Sequence, residues 1–203
     1  MTQIAIHGVE VPLSLEVGKA LRLTDDELFE LCARNSELRI ERTAQGDLIV
    51  MTPAAPESSH RSLAIAAALY DWARRDGTGL AFDSSGGFIL PNGAMRAPDA
   101  SWVRRDRLAG LSAETKKRFL PLCPDFVVEI RSPSDSLAVQ QEKLQEYLDS
   151  GARLGWLVDP DARRLHVDRP DRPVEVLEDP RSITGDPELP GFTLDLEAVW
   201  APL

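Results

Sequence analysis

The chain has only two cysteines and three histidines in 203 residues, and no Cys-x-x-Cys pair. That excludes a disulfide framework and a thiolate zinc site. Cys32 and Cys123 stand in Leu-Cys-Ala and Leu-Cys-Pro contexts and read as small buried hydrophobes of a reducing compartment. No run of about 18 apolar residues is present, so no transmembrane helix and no membrane partner is expected. Met1 to Gly8 has neither a basic opening nor an apolar core, which argues against a secretory signal; the expected location is cytoplasmic. Positive charge is scarce as well: 23 Lys and Arg against 33 Asp and Glu give a net charge of −10. Broad nucleic-acid binding through a basic footprint is thereby disfavoured, although a local groove is not. The basic clusters Arg104-Arg105-Arg107, Lys116-Lys117-Arg118 and Arg163-Arg164 read as solvated faces. No Gly-x-Ser-x-Gly elbow exists, so a serine nucleophile is not expected. Repeats and low-complexity linkers are absent too, and the chain reads as one domain over 1–203 with its core at about 25–195.

What is present is a succession of short strands and three helices. Thr24 to Glu27 forms a capping box and opens a helix with Leu28, Leu31 and Cys32 on its apolar stripe, ended by Asn35. Leu38 to Arg42 and Asp47 to Met51 predict a hairpin around Ala44-Gln45-Gly46. The Ala- and Leu-rich stretch Leu63 to Ala73 predicts a largely buried helix. Leu80 to Asp83, Gly87 to Leu90 and Ala100 to Val103 are strand-like, with a turn at Pro91-Asn92-Gly93. Phe126 to Ile130 is apolar apart from one Glu, the pattern of a central strand. A helix capped by Ser134 or Asp135 and stopped by Gly151, then the strand Gly155 to Val158, complete a βαβ crossover. Leu165 to Asp168 and Val174 to Glu178 continue the sheet. The predicted class is α/β (α+β): a mixed sheet flanked by helices.

Glu129 is the most informative residue. An ionised carboxylate inside Phe126-Val127-Val128-Glu129-Ile130 costs several kcal/mol unless paired, neutralised or bound to a metal. Alternation puts Val127, Glu129 and Arg131 on one strand face, so a Glu129–Arg131 contact competes with a metal-ligand role. Asp99, after Pro98 and before the apolar strand Ala100 to Val103, is a second carboxylate at a strand end. Hard oxygen ligands of this kind suit Mg²⁺ or Mn²⁺, completed by waters and phosphate.

The order Pro98-Asp99, Val128-Glu129 and a basic residue resembles the PD-(D/E)XK nuclease signature. Phe126 to Ser136, followed by Lys143, Tyr147, Gly151 and Gly155 to Pro160, is similar to the Uma-two family of restriction-endonuclease-like proteins. The likeness runs from the Arg39-to-Pro53 hairpin to Leu189-Pro190-Gly191-Phe192. It implies a restriction-endonuclease-like fold and Mg²⁺-dependent cleavage of DNA, with Asp99 and Glu129 holding the metal. It departs from the superfamily at Arg131, which replaces the usual lysine and cannot act as a base. In the family pattern the lysine maps to Lys143. Val139, Lys143 and Tyr147 share a helix face, so Lys143 either leans towards the sheet or bridges to Glu142 or Glu146 at the surface. Glu57 is the position matching the superfamily's first-helix acid and would add a metal ligand, with His60 beside it; the competing reading is an exposed acid at a helix start. His7 and His166 lack suggestive partners. Nuclease relatives imply a homodimer, for which Val174 to Leu177 could supply a surface. Two other readings stay open: a catalytically silent nucleic-acid- or protein-binding module, and a hydrolase of smaller phosphorylated substrates, which a narrow pocket would favour.

Overall fold

A computed structural model describes residues 13–15, 23–51 and 53–201; His7 lies outside them. The elements in chain order are β1 (Leu13–Leu15), α1 (Asp25–Arg34), β2 (Arg39–Arg42), β3 (Leu48–Met51), α2 (Pro56–Asp76), β4 (Gly79–Asp83), β5 (Phe88–Ile89), β6 (Met95–Arg96), β7 (Ala100–Arg104), α3 (Arg105–Ala109), β8 (Phe126–Ile130), α4 (Leu137–Asp149), β9 (Leu154–Asp159), β10 (Arg164–Asp168), β11 (Glu175–Glu178), β12 (Ser182–Thr184), β13 (Thr193–Asp195) and α5 (Glu197–Trp200). The strands form a six-stranded sheet in the order β11-β10-β9-β8-β7-β4, a five-stranded sheet in the order β1-β3-β2-β6-β5, and the pair β12-β13.

In the larger sheet only β8 and β9 run parallel, and α4 is the crossover between them. This is the predicted βαβ unit at the middle of a mixed sheet. Alternation divides the sheet into two faces. Trp102, Phe126, Val128, Trp156, Leu165 and Val167 join α2 and α5 in one core cluster. Val103, Val127 and Leu157 join Leu144, Tyr147 and Leu148 of α4 in the other. Glu129 follows Val127 on the α4 side, so the strand's one charged residue points under that helix.

Local signals place the helix ends. Thr24 and Glu27 exchange both bonds of the capping box, and Asn35 is the C-cap of α1. Gly151, at φ 107°, takes the left-handed conformation that lets the chain turn after α4. Two expectations shift. The α4 N-cap is Ser136, not Ser134 or Asp135; the preceding residues close a turn in which Ser132 N–H donates to Asp135 Oδ2 (3.0 Å). The second helix is longer than predicted and amphipathic: Ile65, Leu69 and Trp72 are buried, whereas Leu63 is 66% exposed. The Ala-rich composition hid a stripe of period 3.6 with one apolar side turned to solvent.

At the edge, Val176 of β11 and Val174 just before it are exposed. Among the described residues no helix is long and apolar enough to cross a membrane.

Candidate active site

A cleft of about 920 Å³ lies where the two larger sheets meet, between the N-terminal halves of α2 and α4. Asp99 and Glu129 form its floor. The β7–β8 register pairs Ala100 with Val128, so the next residues out, Asp99 and Glu129, stand opposite each other on one face, where Cβ atoms approach to about 5 Å. Glu129 is 5% exposed. Asp99 Oδ2 accepts a hydrogen bond from Ile130 N–H at 2.9 Å, which fixes its carboxylate at the end of β8.

Lys143 reaches this floor from α4. Its Nζ lies 2.9 Å from Glu129 Oε1 and 3.0 Å from Glu41 Oε1. Tyr147, one turn on, donates its hydroxyl to Glu129 Oε1 at 3.0 Å. The helix-face expectation of Val139, Lys143 and Tyr147 is thus realised as exposed rim, cleft cation and buried donor. The surface alternative is not: Glu146 bonds to Arg96 Nε (2.6 Å).

Arg131 does not meet Glu129. The strand ends at Ile130 and alternation lapses, so Arg131 turns to Asp159 (Nη1 to Oδ2, 2.9 Å) and to the Asp135 carbonyl (3.1 Å). Glu57 is not brought to the cleft either. It pairs with Arg61 at 2.6 Å, and α2 presents Ser58, Ser59 and Ser62 to the cleft instead. His60 is exposed.

Sequence reasoning passed over Arg39, Glu41 and Arg96. Arg39 and Glu41 alternate along β2 and both line the cleft. Glu41 is 2% exposed; its Oε1 accepts from Ala97 N–H (3.1 Å) and its Oε2 from Arg96 Nη1 (3.1 Å). Arg39 Nη1 stands 3.7 Å from Asp99 Oδ1. The available signal was the alternation Arg39-Ile40-Glu41-Arg42, which reads as a solvated strand face until a second sheet closes over it.

Burial and like charge govern the electrostatics. Burial pushes the Glu129 carboxyl up to about 7, and the neighbouring Asp99 and Glu41 charges add to this against the Lys143 ammonium. Burial also raises Asp99. Glu41 goes the other way: its burial is outweighed by Lys143, Arg96 and the Ala97 N–H, which hold it below the ordinary value. Lys143 is raised, because Glu129 and Glu41 outweigh its burial, and stays charged.

Two opposed, mutually repelling carboxylates, one buried and one half-buried, are a donor set that a divalent cation would relieve. Among the described residues no group of three or more Asp, Glu, His or Cys is placed to hold a metal. A cation here would therefore take few protein ligands and keep room for water and phosphate, as Mg²⁺ does. The residues fit such an ion.

No curated protein matches the chain. Its fold is similar to that of a "putative nuclease belonging to DUF820" from Anabaena variabilis, with TM-score 0.71 and 20% identity over 88% of this chain and 97% of that one. The model of the Uma2 family, described as "putative restriction endonuclease", matches residues 25–197. With that match spanning most of its length, the chain belongs to the Uma2 family.

Proposed function

We propose that the chain is a metal-dependent phosphodiesterase acting on DNA, with Asp99 and Glu129 as metal ligands and Lys143 as the cation facing the reacting phosphate. The observation that carries this reading is the opposition of a buried carboxylate, Glu129, and a half-buried one, Asp99, at the β7–β8 pairing, with the Lys143 ammonium 2.9 Å from Glu129. A bound Mg²⁺ or Mn²⁺ would polarise the scissile phosphate and lower the pKa of a water. The protein's share is positioning and charge. Lys143, kept protonated, offers fixed positive charge where a phosphorane gathers negative charge, the preorganised type of stabilisation. Its raised pKa argues against a role as general base. Glu41 holds Lys143 in the cleft from the opposite side, at 3.0 Å, so that Lys143 keeps one carboxylate partner when Glu129 turns to a metal. Arg96 in turn fixes Glu41. Arg131, paired with Asp159, takes no part.

The test is Mn²⁺ titration by calorimetry on the wild type and Asp99→Asn, followed by oligonucleotide cleavage. The expected result is binding by the wild type, its loss in Asp99→Asn, and cleavage abolished by Glu129→Gln. Cleavage that persists in Asp99→Asn would sink the proposal, and a wild type that binds neither Mn²⁺ nor Mg²⁺ would sink it and favour a silent binding module.

A further inference from the structure

Seven carboxylates and three cations line the cleft among the described residues. Two of the cations, Arg96 and Lys143, are spent on Glu41, Glu146 and Glu129. Arg39 alone has no carboxylate within hydrogen-bond distance, and its Nε is buried without a partner. Outside the cleft the basic clusters are partly paired in place, Arg107 with Asp125, Arg118 with Asp26 and Arg164 with Glu178, whereas among the described residues the Arg105 guanidinium bonds only to the Gly77 carbonyl. A duplex presents two phosphate backbones and is held by many basic contacts. The cleft, with seven carboxylates to three cations among the described residues, supplies few of them.

What the cleft offers instead is apolar. Leu63 of α2 is 66% exposed and Val139 of α4 is 58% exposed, and both stand on its rim. Two turns beyond Leu63, on the same stripe of α2, Tyr70 is 54% exposed, with the Arg74 guanidinium 5.8 Å from its ring centroid. Exposed apolar and aromatic side chains leading away from a phosphate-sized floor match the faces of unpaired bases, which stack without regard to sequence. A paired duplex hides those faces.

We infer that the cleft takes an unpaired DNA strand, with its bases against Leu63, Val139 and Tyr70 and the phosphate over Asp99, Glu129 and Arg39, in preference to an intact duplex. The inference rests on the phosphodiesterase reading and narrows its substrate class. A fluorescein-labelled strand of about 15 nucleotides, with phosphorothioate linkages to slow turnover, is titrated by anisotropy in Mn²⁺ at low salt, alone and annealed to its complement. The single strand is expected to bind at least about tenfold more tightly, and Leu63→Ser and Tyr70→Ser each to weaken it about fivefold. Their Mn²⁺ affinity and thermal melts should stay unchanged, since both side chains are at the surface. Duplex binding equal to or tighter than the single strand, or surface variants that bind like wild type, overturns the inference. Duplex cleavage lost in Asp99→Asn would in that case leave the phosphodiesterase reading standing. A protein that takes up Mn²⁺ but binds neither form overturns both.

Discussion

Asp99 and Glu129 are each costly where they stand, and the cost has a measurable sign. Burial raises Asp99 from its ordinary 3.8, so its contribution to stability is fully present below that value and is lost as pH rises through the higher folded one. Asp99→Asn keeps an acceptor for Ile130 N–H and removes the charge. It should therefore melt higher than wild type at neutral pH in metal-free buffer, by about 1 kcal/mol, with the difference vanishing below about pH 4. Calorimetric melts at both pH values check this; an Asn variant less stable at pH 7 would mean that the carboxylate is held by a favourable pair. Glu129 carries the matching prediction for binding. With its folded pKa near 7, raised by burial and by the Asp99 and Glu41 charges, a proton competes with any cation there. Mn²⁺ affinity should fall about tenfold for each pH unit below that value. Titrations in two buffers of different ionisation enthalpy would register the released proton, and a pH-independent affinity would place the metal elsewhere.

At the scale of elements, the site depends on how closely α4 lies on β9. Gly155 is the contact: a Cβ there would sit 2.9 Å from Leu144 Cδ1 and 3.0 Å from its Cγ. Leu144 adjoins Lys143, so a shift of α4 moves the cation. Gly155→Ala should lose about 1–3 kcal/mol through overpacking and weaken Mn²⁺ binding as well, whereas a purely structural site would lose stability alone. Denaturant unfolding with parallel metal titration separates the two. This close approach was not legible in the sequence, because Gly155 reads only as one residue of an apolar strand. Most strands of the six-stranded sheet were legible from their apolar runs, whereas β1, β6, β12 and β13, only two or three residues long, were not. Asp99, Glu129 and Lys143 were legible as a group, the first two from carboxylates at the ends of apolar strands and the third from the family pattern and helix spacing. Glu41 and Arg39 were not, because their place in the cleft comes from the five-stranded sheet closing on the six-stranded one. Short-range pattern carries no information about a contact between Glu41 and Lys143, 102 positions apart. Arg131 was misplaced for a simpler reason: strand alternation was extended one residue beyond the strand.

For the whole molecule, acidic residues outnumber basic ones, 33 to 23, and part of the basic surface is engaged in ion pairs. With a net charge of −10, long-range attraction of a polyanion is weak or reversed, and binding has to come from the cleft itself. The salt dependence of binding measures how many phosphates the protein neutralises. If Arg39 and Lys143 are the cations that meet the backbone, about two phosphates are involved. The logarithm of single-strand affinity should then fall with the logarithm of salt at a slope near −1.4, against about −5 or steeper for a surface making six or more duplex contacts. Anisotropy titrations at fixed Mn²⁺ and rising NaCl give the slope directly. Arg39→Met should flatten it by about 0.7. An unchanged slope would assign the phosphate contacts to the paired clusters, such as Arg104 with Asp106. Those clusters would then have to exchange their carboxylate partners for DNA, and the cleft would cease to be the principal point of contact with the backbone.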